Sequence, residues 1–259
     1  MNKTKIDWCD YTWNPITGCL HGCPYCYARR MVQRFSTVTA EPDGNVHDLK
    51  KPGKTIYPFG FDPTFHRYRL DEPQRVKKPS TIFVCSMADL FGDWVPDEWI
   101  KAVFEATNKA PWHRYIYLTK NPDRYYQIGD GEDSIIPDGG VSGLFGASAT
   151  TAEQAWSVHE SAVCSWLSIE PLHGEFTEEL FWYTALVGDG VFDEIPRWQW
   201  IVIGAETGGR KGKVIPKRQW IEGIANFCRE AKTPLFMKNS LAEIWGEPLI
   251  QEYPWEATP

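Results

Sequence analysis

Six short apolar runs constrain this chain more than any other feature: TIFVCSM (81–87), RYIYLTK (114–120), LFGASAT (144–150), SWLSIEP (165–171), WQWIVIGAE (198–206) and TPLFMKN (233–239). Each is rich in β-branched or aromatic residues. Their apolar character is nearly continuous rather than alternating, which is the pattern of strands covered on both faces in a parallel sheet. Helical patterns separate them. PDEWIKAVFEATNKA opens with Pro96 and two acids, suits a helix amino terminus, and places Trp99, Ile100, Val103 and Phe104 on one face. PKRQWIEGIANFCREA repeats the pattern with Trp220, Ile221, Ile224, Ala225 and Cys228, and AEQAWSVHESAV (152–163) is a shorter third. Strand and helix in alternation predict right-handed parallel crossovers, hence an α/β fold with an open doubly wound sheet or a barrel.

With 259 residues, 42% of them apolar, the chain can bury a large core, and we expect one domain over 1–259. Two segments break the rhythm. Residues 36–80 carry Pro, Gly and charge without period and read as an insertion or lid, and 127–143 read as a surface loop. The formal charge of −7 argues against bulk, sequence-independent clamping of nucleic acid but leaves room for local basic patches, such as RVKK (75–78) and RKGK (210–213). The opening MNKTKIDWCD has no apolar run of signal-peptide type, and no stretch approaches the roughly 18 apolar residues of a membrane span. The expectation is a soluble, cytoplasmic protein with no membrane partner.

The apolar runs stop at polar residues: Ser86 and Asp89, Thr119 and Lys120, Ser148, Glu170, then Glu206. In parallel α/β folds the site lies at the carboxyl ends of the strands, so these side chains are candidates to line one cavity. Lys120 and Lys238 are unusual at the ends of apolar runs, where a charge needs a partner or a cavity; they read equally as snorkelling surface lysines or as contacts for a substrate.

Seven cysteines are present, and Cys85, Cys164 and Cys228 lie singly in apolar surroundings, where a free Cys acts as a small hydrophobe. Cys19, Cys23 and Cys26 are crowded into TGCLHGCPYCYARR (17–30) with the spacing CxxxCxxC. Three readings compete. Structural zinc wants four ligands, and the fourth would be Cys9 or His21. A plain electron-transfer iron–sulfur centre normally ligates every iron with cysteine, so it too needs Cys9. A 4Fe–4S cluster on three thiolates leaves one iron exposed for a cofactor.

The motif, with Tyr25 immediately before its third cysteine, resembles that of the radical S-adenosylmethionine (SAM) superfamily. TWNPITGCLHGCPYCYARR, YLTKNPDRY, LSIEPLHGEF and WIVIGAETGGRKGK together resemble an uncharacterised phage- and prophage-associated branch of it, over nearly the whole chain. The resemblance implies a partial (β/α) barrel of about six parallel strands with a lid-like insertion at 36–80. It implies a cluster loop at 17–28 in which Cys19, Cys23 and Cys26 hold a 4Fe–4S cluster that binds S-adenosylmethionine. It places Tyr25 beside the adenine, Ser86 and Asp89 at the SAM amino group, Ser148 and Glu170 at ribose or methionine, and Glu206 along the adenine. Lys120 and Lys238 become substrate-side candidates. Cys85 or Cys164 could return a hydrogen atom to a product radical, with core packing as the alternative.

The activity implied is reductive cleavage of SAM to a 5′-deoxyadenosyl radical that abstracts hydrogen, with an external electron donor of flavodoxin or ferredoxin type. Phage association, the basic runs and 13 Trp residues suggest modification or repair of a nucleic acid or nucleotide. The alternatives are a radical SAM enzyme for a peptide or small metabolite, and a non-enzymatic iron–sulfur or zinc module that recruits another protein.

Overall fold

Each of the six apolar runs contains a strand in the computed structural model, which describes residues 1–259 apart from 39–40, 130–133, 138–139, 159–163, 188–190, 247 and 257–259. The chain divides into two compact units, Met1–Phe145 and Gly146–Pro259.

In the first unit, β1 (Asn2–Lys3) runs antiparallel to β2 (Tyr11–Trp13). The elements that follow are β3 (Ile16–Thr17), α1 (Tyr27–Phe35), β4 (His47–Leu49), β5 (Thr64–His66), α2 (Glu72–Arg75) and β6 (Thr81–Val84). After them come α3 (Asp97–Asn108), β7 (Arg114–Thr119) and α4 (Arg124–Gly129). Parallel pairing joins β2 to β6, with Trp13 opposite Val84, and β6 to β7, with Ile82 opposite Tyr115. This gives the order β1-β2-β6-β7. The helix expected over 96–110 is α3. Pro96 precedes it, Asp97 and Glu98 face the positive end of its dipole, and Trp99, Ile100, Val103 and Phe104 are buried. Burial of each of these four is worth about 2 kcal/mol.

The 36–80 segment, read from sequence as a lid, carries β4, β5 and α2. Its β5 pairs antiparallel with β3 and parallel with β4, and Thr64, Phe65 and His66 are all buried. Residues 39–40 of that segment, and 130–133 and 138–139 of the expected 127–143 loop, lie outside the described residues.

In the second unit the strands are β8 (Leu144–Ala149, which begins in the first unit), β9 (Trp166–Ile169), β10 (Trp182–Val187), β11 (Val191–Pro196), β12 (Trp200–Ile203) and β13 (Leu235–Met237). The helices are α5 (Ala152–Ser157), α6 (Arg218–Ala231) and α7 (Ala242–Trp245). Strands β8, β9, β12 and β13 are parallel neighbours in that order, and β10 and β11 form a separate antiparallel hairpin. Every residue of β9, β12 and β13 is buried, which explains their unbroken apolar sequence. A Cβ on Gly146 would fall 2.3 Å from the Trp166 indole nitrogen, so only glycine fits beneath that ring. Of the expected helix over 152–163, α5 is its first part, and 159–163 lie outside the described residues.

The architecture is mixed α/β with mostly parallel central strands, and among the described residues of neither unit does the strand order return to its first member to close a barrel. Among the described residues, no helix is long and apolar enough to cross a membrane.

Candidate functional site

The cysteine loop sits at the carboxyl end of β2 and is pinned from three directions. Gly18 N–H donates to Met87 O at 3.0 Å and Cys19 N–H to Phe61 O at 3.2 Å. Gly18 has φ +87°, and a Cβ there would lie 2.2 Å from Asp62 O, so the loop enters through a gap only glycine can pass. Cys26 is the N-cap of α1, its Sγ accepting from Arg29 N–H at 3.4 Å. Cys19 and Cys26 pack against one apolar cluster of Ala28, Val32, Phe61 and Met87. Cys19, Cys23 and Cys26 are half-buried and in no disulfide. Burial pushes the Cys19 thiol up to about 12, and nearby Asp89, Cys26 and Cys23 push the same way against the backbone of His21.

Asp89 ties this loop to the strand ends. Its carboxylate is 5% exposed and accepts four hydrogen bonds: from His21 Nε2 and Lys120 N–H at 2.8 Å on Oδ2, and from Thr119 Oγ1 at 2.8 Å and Phe91 N–H at 3.0 Å on Oδ1. The His21 ring also stands edge-on to Trp94, with centroids 4.8 Å apart. Lys120 Nζ lies 5.4 Å from the centre of the Tyr25 ring. Burial raises the Tyr25 phenol, while Lys120 lowers it and Cys23 raises it further, so the three side chains share one neighbourhood. Ser86 Oγ donates to Asn14 Oδ1 at 3.2 Å, and Tyr27 Oη donates to the Ser86 carbonyl at 2.6 Å. Cys85 turns the chain after β6 with φ +58°; it is buried, and desolvation pushes its thiol up to about 12. Of the residues singled out in sequence, the first unit thus brings Cys19, Cys23, Cys26, Tyr25, Asp89 and Lys120 together. Ser86 and Cys85 lie in the turn beneath them.

The second unit holds the remaining candidates at the carboxyl ends of β8, β9, β12 and β13. The register sets Ile169, Ile203 and Met237 side by side, so Glu170, Gly204 and Lys238 follow in one row. Lys238 Nζ donates to Glu170 Oε1 at 2.5 Å, and the pair arches over Gly204, where a Cβ would come 3.2 Å from Lys238 Cδ and 3.3 Å from Glu170 Cδ. Glu206 is buried and gripped by Arg210, whose Nε and Nη2 donate to its two oxygens at 2.6 and 2.7 Å, with His173 Nε2 3.6 Å away. The Arg210 hydrogen bonds hold the Glu206 carboxyl below the usual carboxylate range despite its burial. Ser148 is half-buried near the end of β8, and Cys164 is buried. Asn14 and His173 were not singled out in the sequence, His21 was named there only as a possible zinc ligand, and Arg210 only as part of the basic run RKGK. Arg210 had a signal, its i+4 spacing from Glu206, and His21 lies within the cysteine motif itself.

A family model described as "Protein of unknown function (DUF5131)" matches residues 3–250. The chain belongs to this family. No curated protein matches the sequence. Among solved structures, spore photoproduct lyase complexed with dinucleoside spore photoproduct superimposes with TM-score 0.52 at 10% identity, over 91% of this chain and 78% of that one. A tyrosine-to-phenylalanine mutant of the same lyase gives 0.51 at 10% identity over the same shares. The likeness is one of fold.

The loop of this DUF5131 member offers three thiols in no disulfide. Its donors are three sulfurs, soft ligands suited to iron–sulfur centres. A Cβ on Gly22 would meet nothing within 4 Å, which leaves the loop open between Cys19 and Cys23. Cys9 precedes β2, at the opposite end of that strand from the loop. Among the described residues, no group of three or more His, Cys, Asp or Glu side chains converges where a single metal ion could bind.

Proposed function

We propose that this DUF5131 chain is a radical S-adenosylmethionine enzyme that acts on a nucleic acid or nucleotide. The observation that carries the reading is the cysteine loop itself: three half-buried thiols at the carboxyl end of the first unit's parallel strands, two of them on one apolar cluster. The fold supports it, because spore photoproduct lyase is a radical SAM enzyme. That lyase was solved with a dinucleoside photoproduct, which favours a nucleic-acid substrate here.

Cys19, Cys23 and Cys26 would hold the 4Fe–4S cluster. The chemistry such a cluster supplies with bound SAM is one-electron cleavage of the sulfonium to methionine and a 5′-deoxyadenosyl radical, which takes a hydrogen atom from substrate. The chain's own residues supply position and seclusion. The Asp89 carboxylate is saturated by four donors and fixes His21, and with it the loop, against the end of β7. Tyr25 and Lys120 border the same loop, with the lysine beside the ring, so they offer an aromatic face and a cation there. An anionic group, on SAM or on substrate, meets a charge partner there. Glu170 and Lys238 neutralise one another at their strand ends and form a donor–acceptor pair for a polar ligand group. The electron comes from an external donor of flavodoxin or ferredoxin type.

Anaerobic reconstitution of the purified chain with iron and sulfide, followed by SAM and dithionite, tests the reading. About four irons per chain and formation of 5′-deoxyadenosine are expected. Uptake of one colourless zinc without SAM cleavage overturns it in favour of a metal-binding module.

A further inference from the structure

We propose that the loop from Thr207 to Arg218 is a phosphodiester-binding surface that takes the backbone of a nucleic acid. The proposal rests on the nucleic-acid reading of the substrate and adds to it the place where the backbone lies.

Between Glu206 and Glu222 the sequence contains no Asp or Glu, yet it carries Arg210, Lys211, Lys213, Lys217 and Arg218, in a chain with 34 acids against 27 Lys and Arg. Both arginines are already engaged, Arg210 half-buried and Arg218 on the surface. Arg210 is spent on buried Glu206, and Arg218 pairs with Glu222 at 2.8 Å and donates to the Trp245 carbonyl. The three lysines remain on the outside: all are exposed, and none forms an ion pair among the described residues. The loop is therefore anchored at both ends by arginine–carboxylate pairs and presents three exposed lysines in between, with Lys217 Nζ 5.4 Å from the centre of the Trp220 ring.

Its backbone is open as well. A Cβ on Gly209 or Gly212 would meet nothing within 4 Å, and Gly212 has φ +75°. Lys213 Nζ donates to Gly208 O at 3.3 Å, and Lys213 N–H to Arg210 O at 3.3 Å, which curls the chain into a turn with its lysines on the rim. The loop leaves the carboxyl end of β12, the end at which parallel α/β folds bind ligands. Its one large exposed apolar residue, Ile215 at 66% exposure, is too little for the desolvated anchor of a protein interface. Cations without such an anchor suit a polyanion read through its charges, not its sequence.

The test is the salt dependence of oligonucleotide binding by the intact chain, measured by anisotropy of a labelled strand. The variant Lys211→Gln/Lys213→Gln/Lys217→Gln is compared with a control, Lys50→Gln/Lys51→Gln/Lys54→Gln, which removes three exposed lysines elsewhere. Loss of three phosphate contacts to a single strand lowers the slope of log Kd against log salt by about 2. Between about 50 and 200 mM salt this removes roughly 20-fold of the wild-type change in Kd. The control is expected to keep the wild-type slope. If the loop variant keeps it too, or both triple variants lose it equally, the loop assignment fails while the nucleic-acid reading stands. Displacement of the strand by inorganic phosphate at the same phosphate concentration overturns the polymer assignment. Absence of salt-sensitive binding by the wild type overturns the nucleic-acid reading and this proposal with it, and leaves SAM cleavage to be judged by 5′-deoxyadenosine alone.

Discussion

His21 Nε2 and Asp89 Oδ2 stand 2.8 Å apart across 68 positions of sequence. One residue belongs to the cysteine loop and the other to the turn after β6, so this bond fixes the loop to the strand ends. Asp89→Asn keeps the shape but exchanges two acceptor sites for donors where four donors already point. Bonds to a buried charged acceptor are worth about 1.5–3 kcal/mol each, with partial relaxation after loss. The variant is expected to lose about 2–3 kcal/mol in urea unfolding and to release iron faster after reconstitution. Wild-type stability together with wild-type iron retention would contradict the role given to Asp89.

Gly18→Ala tests the loop's entry. At φ +87°, with Asp62 O 2.2 Å from the new methyl, the backbone must shift. Strain of this kind costs on the order of 2–3 kcal/mol. Thermal unfolding should show that loss, and thiol-reactive probes should label Cys19 faster than in the wild type. An unchanged melting temperature sinks the argument.

Cys23→Ala separates structure from chemistry. Cys23 is half-buried and outside the apolar cluster that Cys19 and Cys26 touch, so the unloaded chain should change by no more than about 1 kcal/mol. Iron uptake and 5′-deoxyadenosine formation should both disappear. Retention of a full cluster by this variant would mean that the ligand set is wrong.

His66 carries a pH signature unrelated to the loop. Its ring is fully buried, bonded through Nε2 to Thr17 Oγ1 at 2.8 Å, and burial, assisted by Arg69, lowers its pKa from 6.5 to about 3. The unfolded chain binds a proton below 6.5 that the folded chain refuses until about pH 3. Stability is therefore whole above 6.5 and falls as pH drops through that window, at no more than about 1.4 kcal/mol per pH unit. His66→Gln, less stable at pH 7, is expected to have a flatter urea midpoint between about pH 6.5 and 4. An equally steep slope in the variant would assign the acid sensitivity to other groups.

The strands of the central sheets were legible because two-sided burial writes continuous apolar runs, as in WIVI of β12. The three-residue strands β4 and β5 were not: His47–Leu49 and Thr64–His66 are too short for a period to show, and β5 pairs both with β4 and, over a long sequence separation, with Ile16–Thr17. The β10–β11 pair is marked in sequence only by the apolar run WYTALV followed by Gly188, Asp189 and Gly190, because Asp193 and Glu194 interrupt the second strand. At the site, spacing alone marked Cys19, Cys23 and Cys26, because three cysteines in one loop are a local fact. Partners were invisible where contact is made by folding: Asp89 with His21, and Glu170 with Lys238, each span 68 residues. The same reasoning read Glu206 as a residue lining a ligand, whereas its carboxylate is occupied by Arg210 four positions on.

The anchors of the cysteine loop come from Phe61, Met87 and Asp89, and Asp89 is itself held by Thr119 and Lys120. The loop lies near the amino terminus, yet its shape is written by residues up to a hundred positions later. During synthesis the thiols are exposed early and become organised only after β7 has been made and docked on β6. On the proposed reading, metal loading would be a late event that reports on completed tertiary structure, and a nascent chain that stalls before residue 120 would carry three cysteines with no geometry to offer iron.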